Sequence, residues 1–409
     1  MNRRLWSVSA KELRGQLLVL VTVTWGLAAL NTFTPGTQYR TGQIKGADFL
    51  HFYVLGSLAA QGRGDQLYDV QAQRAEQERL VPASQDTWFV PIYGPQTALL
   101  FAGLARLPYL WAALSWAFLT MLLYATCVWA VWRQCPSLRA HTQLVALAAL
   151  GFPPFYTLIL HGQTSVLPLV CLTLAYLALR GNRKWWAGVA LGSLVIKPQL
   201  GLAVAVVMLA RREWRVIGGA IAAVGVQWGM AALVLGTGPL LAYFHTLREG
   251  PGLAALLEPK LFQMHSLRAF WTLLLPEPTA ALALYVLTSA AMLTLTVRLW
   301  HASVPLETRY SALIIATILV APHLGVYELV LLAPAFILTA SESEMSVALR
   351  RRTFRMLLYF AYLVPLVGGL AAITHVQLSI LVFAGWFATL YWAAFRLPSR
   401  FGTAEPTGA

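Results

Sequence analysis

Long apolar runs separated by short polar breaks fill most of the chain. A helix that crosses a bilayer needs about 20 apolar residues, and fewer where it is short or re-entrant. The first run covers residues 16–30. Others cover 93–132, broken at Pro108, then 185–210, and 267–300, broken at Pro276 and Pro278. The last spans are expected near 279–300, 309–321, 324–340, 355–373 and 378–395. Two longer polar stretches, 34–92 and 236–266, interrupt the series. This pattern predicts an all-α, polytopic integral membrane protein with about 10–13 transmembrane helices, short and re-entrant ones included. No internal repeat and no low-complexity linker divides residues 1–409, so they read as a single transmembrane domain.

Charge sorts the polar breaks into two kinds. RQCPSLR (133–139), RGNRK (180–184), ARREWR (210–215) and ALRRRTFR (348–355) are basic, as are the N-terminal MNRR and FRLPSRF near the C-terminus. Positive charge collects in cytoplasmic loops, so both termini are expected inside. The stretch 34–92 mixes Arg40, Lys45, Arg63, Arg74 and Arg79 with Asp48, Asp65, Asp69, Glu76, Glu78 and Asp86. It is read as the first extracytoplasmic loop, and 236–266 as the second. The run 185–210 starts and ends beside basic loops, so it must go out and return. Two half-length helices meeting at Lys197-Pro198, near the outer side, satisfy that. Parity likewise makes 94–107 and 267–275 short re-entrant or tilted segments, and places His323 at an outer turn.

Composition supports the bilayer as solvent. Of 409 residues, 58% are hydrophobic and only 11% charged, against about 25% charged in a soluble domain. The net charge of +14 is confined to short clusters between apolar runs, which argues against nucleic acid. Cys127 and Cys171 lie in apolar runs and Cys135 beside a basic loop, in no disulfide or zinc spacing. The basic start lacks a small-residue cleavage site and reads as a retained first helix. There is no Walker loop, GxSxG, GxGxxG or paired-His metal spacing, so neither metal nor cofactor is expected.

A few residues stand out chemically. GADFLHFY (46–53) opens the first outer loop, and Phe49, Phe52, Tyr53 and Gly56 fall on one face of a helix from Asp48 to Gln61. That predicts an amphipathic helix on the membrane surface. Asp48 at its start is either an N-cap or a carboxylate base acting on a hydroxyl. A second short helix starts in GRGDQLYD (62–69) and runs through Glu78, with Asp65 and Asp69 as solvated caps. Lys197, inside an apolar run, either ends a helix or offers a point charge to a lipid phosphate. His161 and Gln163 of HGQTS (161–165) either satisfy a loop or bind a polar headgroup; the loop role is the simpler. APHLGVYEL (321–329) sets His323, Tyr327 and Glu328 beside a span, and KLFQMHSLRAF (260–270) adds His265 and Arg268 on the same side.

The ordered set GADFLHFY, GDQLYD, Tyr93-Gly94-Pro95, HGQTSVLPL, RGNRKWWAGVALGSLVIKPQL and APHLGVYELVLL resembles the polyprenol-phosphate-mannose-dependent mannosyltransferases. These are family 87 of the GT-C class of membrane glycosyltransferases. The resemblance implies a GT-C-like fold and an inverting transfer without nucleotide or metal. Sugar, expected to be mannose, would pass from a polyprenyl-phosphate donor to a lipid or glycan acceptor on the outer face of the plasma membrane, with membrane lipids as the other partners. By matching position, Asp48 is the expected catalytic base. Lys197, His323 and Arg268 are the expected donor-phosphate ligands. Tyr93, His161, Gln163, His265, Tyr327 and Glu328 are weaker substrate-binding candidates. The chain departs from the family pattern at Gly94, where Pro is common, at Ser165, where Asn is common, and in Gln263–Ser266. A transporter or flippase of a lipid-linked or anionic substrate is the alternative, since broken helices and an intramembrane lysine suit it too.

Overall fold

The computed structural model describes residues 9–87, 89–249, 260–345 and 352–396. The basic residues 1–4, residues 250–259 of the second polar stretch, the first half of ALRRRTFR and the end of FRLPSRF lie outside them. The chain is all-helical. Among the described residues there is no β-strand, only isolated bridges pairing Gln38 with Ile44 and Met264 with Gly325.

Helix α1 (Ala10–Thr32) is followed by α2 (Ala47–Ala60), α3 (Val70–Leu80) and α4 (Pro95–Ala102). Then come α5 (Tyr109–Arg133), α6 (Thr142–Leu150), α7 (Pro153–His161), α8 (Val166–Arg180), α9 (Lys184–Gly192), α10 (Leu202–Ala210), α11 (Trp214–Leu235) and α12 (Gly238–Glu249). The last group is α13 (Leu267–Leu274), α14 (Pro278–His301), α15 (Leu306–Val320), α16 (Leu332–Met345), α17 (Arg352–Leu363), α18 (Ala371–Thr374) and α19 (Leu378–Arg396). Six described spans are long and apolar enough to cross a membrane: α1, α5, α11, α14, the segment Arg352–Thr374, and α19. A seventh arises if α6 and α7, bent by 44° at a break, form one span. Pro and Gly cut the remaining apolar runs into short helices, the kind that the expected 10–13 includes. Residues 94–107 and 267–275 are such short segments, as the parity argument required.

Local chemistry accounts for the breaks. Pro153 and Pro154 open α7, Pro278 opens α14 and Pro95 opens α4, positions where the missing N–H costs nothing. The hairpin predicted over 185–210 is present. Helix α9 runs into a 3₁₀ turn, Ser193–Ile196, Lys197 leaves the helical region (φ −135°, ψ 77°), and a second 3₁₀ turn, Pro198–Gly201, leads into α10. A lysine before proline is steered away from the helical region.

Helices pack closely where side chains are absent. A Cβ on Gly188, Gly192 or Gly219 would lie 2.0 Å from the Val216 carbonyl, 2.3 Å from the Ala220 carbonyl and 2.2 Å from the Trp185 carbonyl. In lipid, where hydrophobicity does not drive helices together, such close approach is a main source of association. It fixes the α9–α10 hairpin against α11.

Two helices differ from their expected environments. Helix α2 occupies the predicted residues, but Phe49 through Leu58 are all buried, so it is not an amphipathic helix on the membrane surface. Helix α4 covers it: the Cβ of a residue at Gly56 would lie 2.6 Å from the Phe101 carbonyl. Helix α15 is buried from Tyr310 to Val320 and runs through the centre of the molecule. A helix apolar all round belongs inside.

The long helices separate two ends. At the end of α5 and the start of α9 the basic loops gather, with Lys184–Glu213 at 2.9 Å, Ser137–Ser341 at 2.8 Å and Arg180 against Glu307. At the start of α5, Tyr109 Oη donates to the Gly46 carbonyl (3.1 Å) and Trp116 Nε1 to the Gly162 carbonyl (3.0 Å). A helix of 25 residues separates those ends by about 38 Å at 1.5 Å per residue.

Candidate functional site

Gly46, in the left-handed conformation (φ 66°), is the N-cap of α2, which makes Asp48 the second residue of the helix. No side chain caps this end, so the N-cap reading of Asp48 does not hold. Its carboxylate turns instead to Gln163, whose Nε2 donates to Oδ2 at 3.3 Å. Asp48 is crowded by protein yet keeps part of its surface exposed. Burial pushes its pKa above the ordinary carboxylate value; His161, Lys197 and the Gln163 hydrogen bond pull the other way.

The turn from α7 to α8 supplies the next layer. Gly162 takes φ 66°, and a Cβ there would meet the Phe49 Cβ at 2.6 Å, so only glycine lets this turn approach α2. His161, exposed at the end of α7, donates Nδ1–H to the Thr157 carbonyl at 2.9 Å. Gln163 is buried. Its Oε1 accepts from Lys197 Nζ (3.3 Å), Thr164 N (2.7 Å) and Thr164 Oγ1 (3.1 Å), while Nε2 also reaches the Tyr93 hydroxyl at 3.5 Å. Tyr93 is held by its carbonyl, which accepts from Tyr68 Oη at 2.7 Å, and by its ring against Phe52 at 4.7 Å.

Lys197 is 2% exposed, and its ammonium has three acceptors: Glu328 Oε1 at 2.8 Å, Ser165 Oγ at 3.0 Å and Gln163 Oε1. An ammonium has three N–H donors. In this arrangement none is left to reach a phosphate directly. Glu328 Oε2 accepts from the Gly325 N–H at 2.6 Å, so both carboxylate oxygens are satisfied. The Tyr327 ring lies 5.5 Å from the Lys197 nitrogen and 5.9 Å from the His161 ring.

His323, beside Arg268, lies near Glu328 and Lys197, and both are half-buried. Arg268 Nε donates to the Pro322 carbonyl at 2.8 Å, which ties α13 to the turn before His323. Burial lowers the His323 pKa; Glu328 opposes this, and Lys197 and Arg268 add to it. His265 turns elsewhere. It is buried, its Nδ1 is 2.8 Å from Ser379 Oγ, and burial lowers its pKa to about 4. Among the described residues no three His, Cys, Asp or Glu side chains gather as a metal ligand set.

The structure therefore joins Asp48, Tyr93, His161, Gln163, Lys197, Tyr327 and Glu328 through contacts, with His323 and Arg268 beside them. Sequence reasoning noted Ser165 only as a departure from the family pattern and overlooked Thr164, whose signal was position alone, directly after Gln163 in a polar run between apolar helices.

A polytopic helical fold with a titratable cluster at one end of its long helices defines a membrane protein with an enzyme-like site. The chain belongs to glycosyltransferase family 87, whose model matches residues 91–322. It is by family a glycosyltransferase. The matched region holds Tyr93, His161, Gln163, Lys197 and Arg268; Asp48 precedes it and His323 follows it. Comparison with curated proteins and with solved structures gave no match.

Proposed function

We propose that the protein is an inverting glycosyltransferase that moves a sugar from a polyprenyl-phosphate donor to a lipid or glycan hydroxyl, with Asp48 as general base. Mannose is the sugar suggested by resemblance. Asp48 takes the proton of the acceptor hydroxyl, the hydroxyl oxygen bonds to the anomeric carbon, and the bond from that carbon to the phosphate oxygen breaks on the opposite face. The lipid phosphate leaves carrying the displaced electron pair. His323 and Arg268, near Lys197 and Glu328, are the groups assigned to its charge, which fixed donors stabilise as it develops.

The observation that carries the reading is Asp48 itself. It is a partly exposed carboxylate, oriented by Gln163, at the end of the molecule away from the basic loops. By the distribution of positive charge that end faces outward, where lipid-linked sugars, rather than nucleotide sugars, are the donors this reading requires. The test is a reconstituted transfer assay with radiolabelled polyprenyl-phosphate-mannose and a lipid extract of the source, beside Asp48→Asn. Transfer should fall by about 10²–10⁴-fold in the variant while donor binding is kept. Undiminished transfer would remove Asp48 from the mechanism. Label that crosses the bilayer still attached to its carrier would indicate a flippase instead.

A further inference from the structure

The Gln163 carboxamide is not free to choose its orientation. Its Oε1 receives an ammonium, a backbone N–H and a hydroxyl. Exchanging oxygen and nitrogen would set NH2 against an ammonium and a backbone N–H, neither of which can accept. The network therefore dictates that NH2 points at Asp48 and Tyr93. Lys197 is in turn fixed by Glu328 and Ser165, and Glu328 by the Gly325 N–H. The chain of contacts runs from the turn before α16, through the broken α9–α10 hairpin, to α2.

We propose that Lys197 is a positioning residue, which with Glu328 locks the Gln163 amide so that it aims the Asp48 carboxylate and holds it ionised. The inference rests on Asp48 being the base. It departs from the expectation that Lys197 grips the donor phosphate. Lys197 acts on Asp48 directly through its charge, which Glu328 opposes in part, and also through the amide that it holds in place. Hydrogen bonds to the charged form of a carboxylate lower its pKa, and loss of the aimed N–H raises it. The titratable groups that influence Asp48 besides the pair are His161, Tyr93, Tyr109 and Tyr327, and the substitutions below leave them in place.

Removing one member of a buried ion pair strands the other and risks the fold. The test therefore uses the neutral pair Lys197→Met with Glu328→Gln, beside Gln163→Met and the triple variant. Two readouts are taken: transfer as a function of pH, and the pH dependence with which a carbodiimide, which attacks only protonated carboxyls, labels Asp48. The neutral pair and Gln163→Met should each lower kcat by about 10²-fold, the size of effect a misplaced catalytic group produces. Donor KM should change little. In both, the acid limb and the labelling midpoint should move to higher pH, and the triple variant should fall well short of the sum of the two. A raised donor KM with kcat and midpoint unmoved would make Lys197 a direct phosphate ligand and overturn the proposal. Unchanged kinetics and labelling would make the network scaffolding and overturn it equally. If the wild type transfers no sugar, the functional reading fails, while the labelling midpoint still decides the positioning claim.

Discussion

At Asp48 two demands compete. A base needs lone pairs open to its substrate, and a carboxylate crowded by protein needs donors to remain ionised. On the proposed reading both are met, because Asp48 has one side-chain donor, Gln163, and stays partly exposed. The approach of the two depends on Gly162. In Gly162→Ala the left-handed backbone alone costs about 1–2 kcal/mol, and the new Cβ collides with Phe49, the neighbour of Asp48. Thermal unfolding in detergent should show a lowered midpoint for Gly162→Ala, and transfer should fall with it. Gly103→Ala, where a Cβ meets nothing within 4 Å, serves as the control. Equal midpoints would show that the turn relaxes. At this scale the sequence identifies the unusual residues, because a lysine or an aspartate among apolar neighbours is conspicuous alone. It does not identify their partners. Lys197 and Glu328 are 131 residues apart, and only the fold brings them together.

Elements were legible wherever breakers bound an apolar run. The start of α2 near Asp48, the cap of α3 at Asp69 and the hairpin at Lys197-Pro198 all follow from local residues. Asp69 accepts from Gln71 N at 2.8 Å and Ala72 N at 3.1 Å, as a cap does. The burial of α2 was not legible, since the face pattern of one helix says nothing of the helices that cover the other side. What docks α3 on α2 was also hidden in a mixed-charge stretch. Glu76 accepts from Ser57 Oγ at 2.6 Å, Gln61 Nε2 at 2.7 Å, Arg79 Nη2 at 2.6 Å and Arg63 Nη1 at 3.2 Å. The Arg79 hydrogen bond, with Ser57 and Gln61 adding to it against some burial, lowers its pKa from 4.5 to about 2. A carboxyl whose folded pKa is depressed stabilises above its unfolded pKa and ceases to as the pH falls through the folded one. The stability advantage of the wild type over Glu76→Gln should therefore be full above pH 4.5 and vanish toward pH about 2. Unfolding measured for both proteins across that window checks it. A difference independent of pH would mean that Glu76 acts by shape alone.

For the whole molecule the decisive question is which end faces which compartment, because a polyprenyl-phosphate donor presented outside can serve only an outward site. The basic loops and the Asp48 cluster lie at opposite ends of α5, so a single orientation fixes both. The three native cysteines are buried and leave the surface silent to thiol reagents. A cysteine placed at Gln85, exposed in the first polar stretch, reports on the Asp48 end, and one at Arg139, exposed in a basic loop, reports on the other. A maleimide too polar to cross the membrane should label Gln85→Cys in intact cells and Arg139→Cys only after lysis. The reverse pattern would put Asp48 in the cytoplasm, where nucleotide-activated sugars are at hand. The need for a lipid-borne donor would then disappear, along with the assignment of His323 and Arg268 to its phosphate. Asp48 as a base would survive that result, since its orientation by Gln163 does not depend on which side of the membrane it faces.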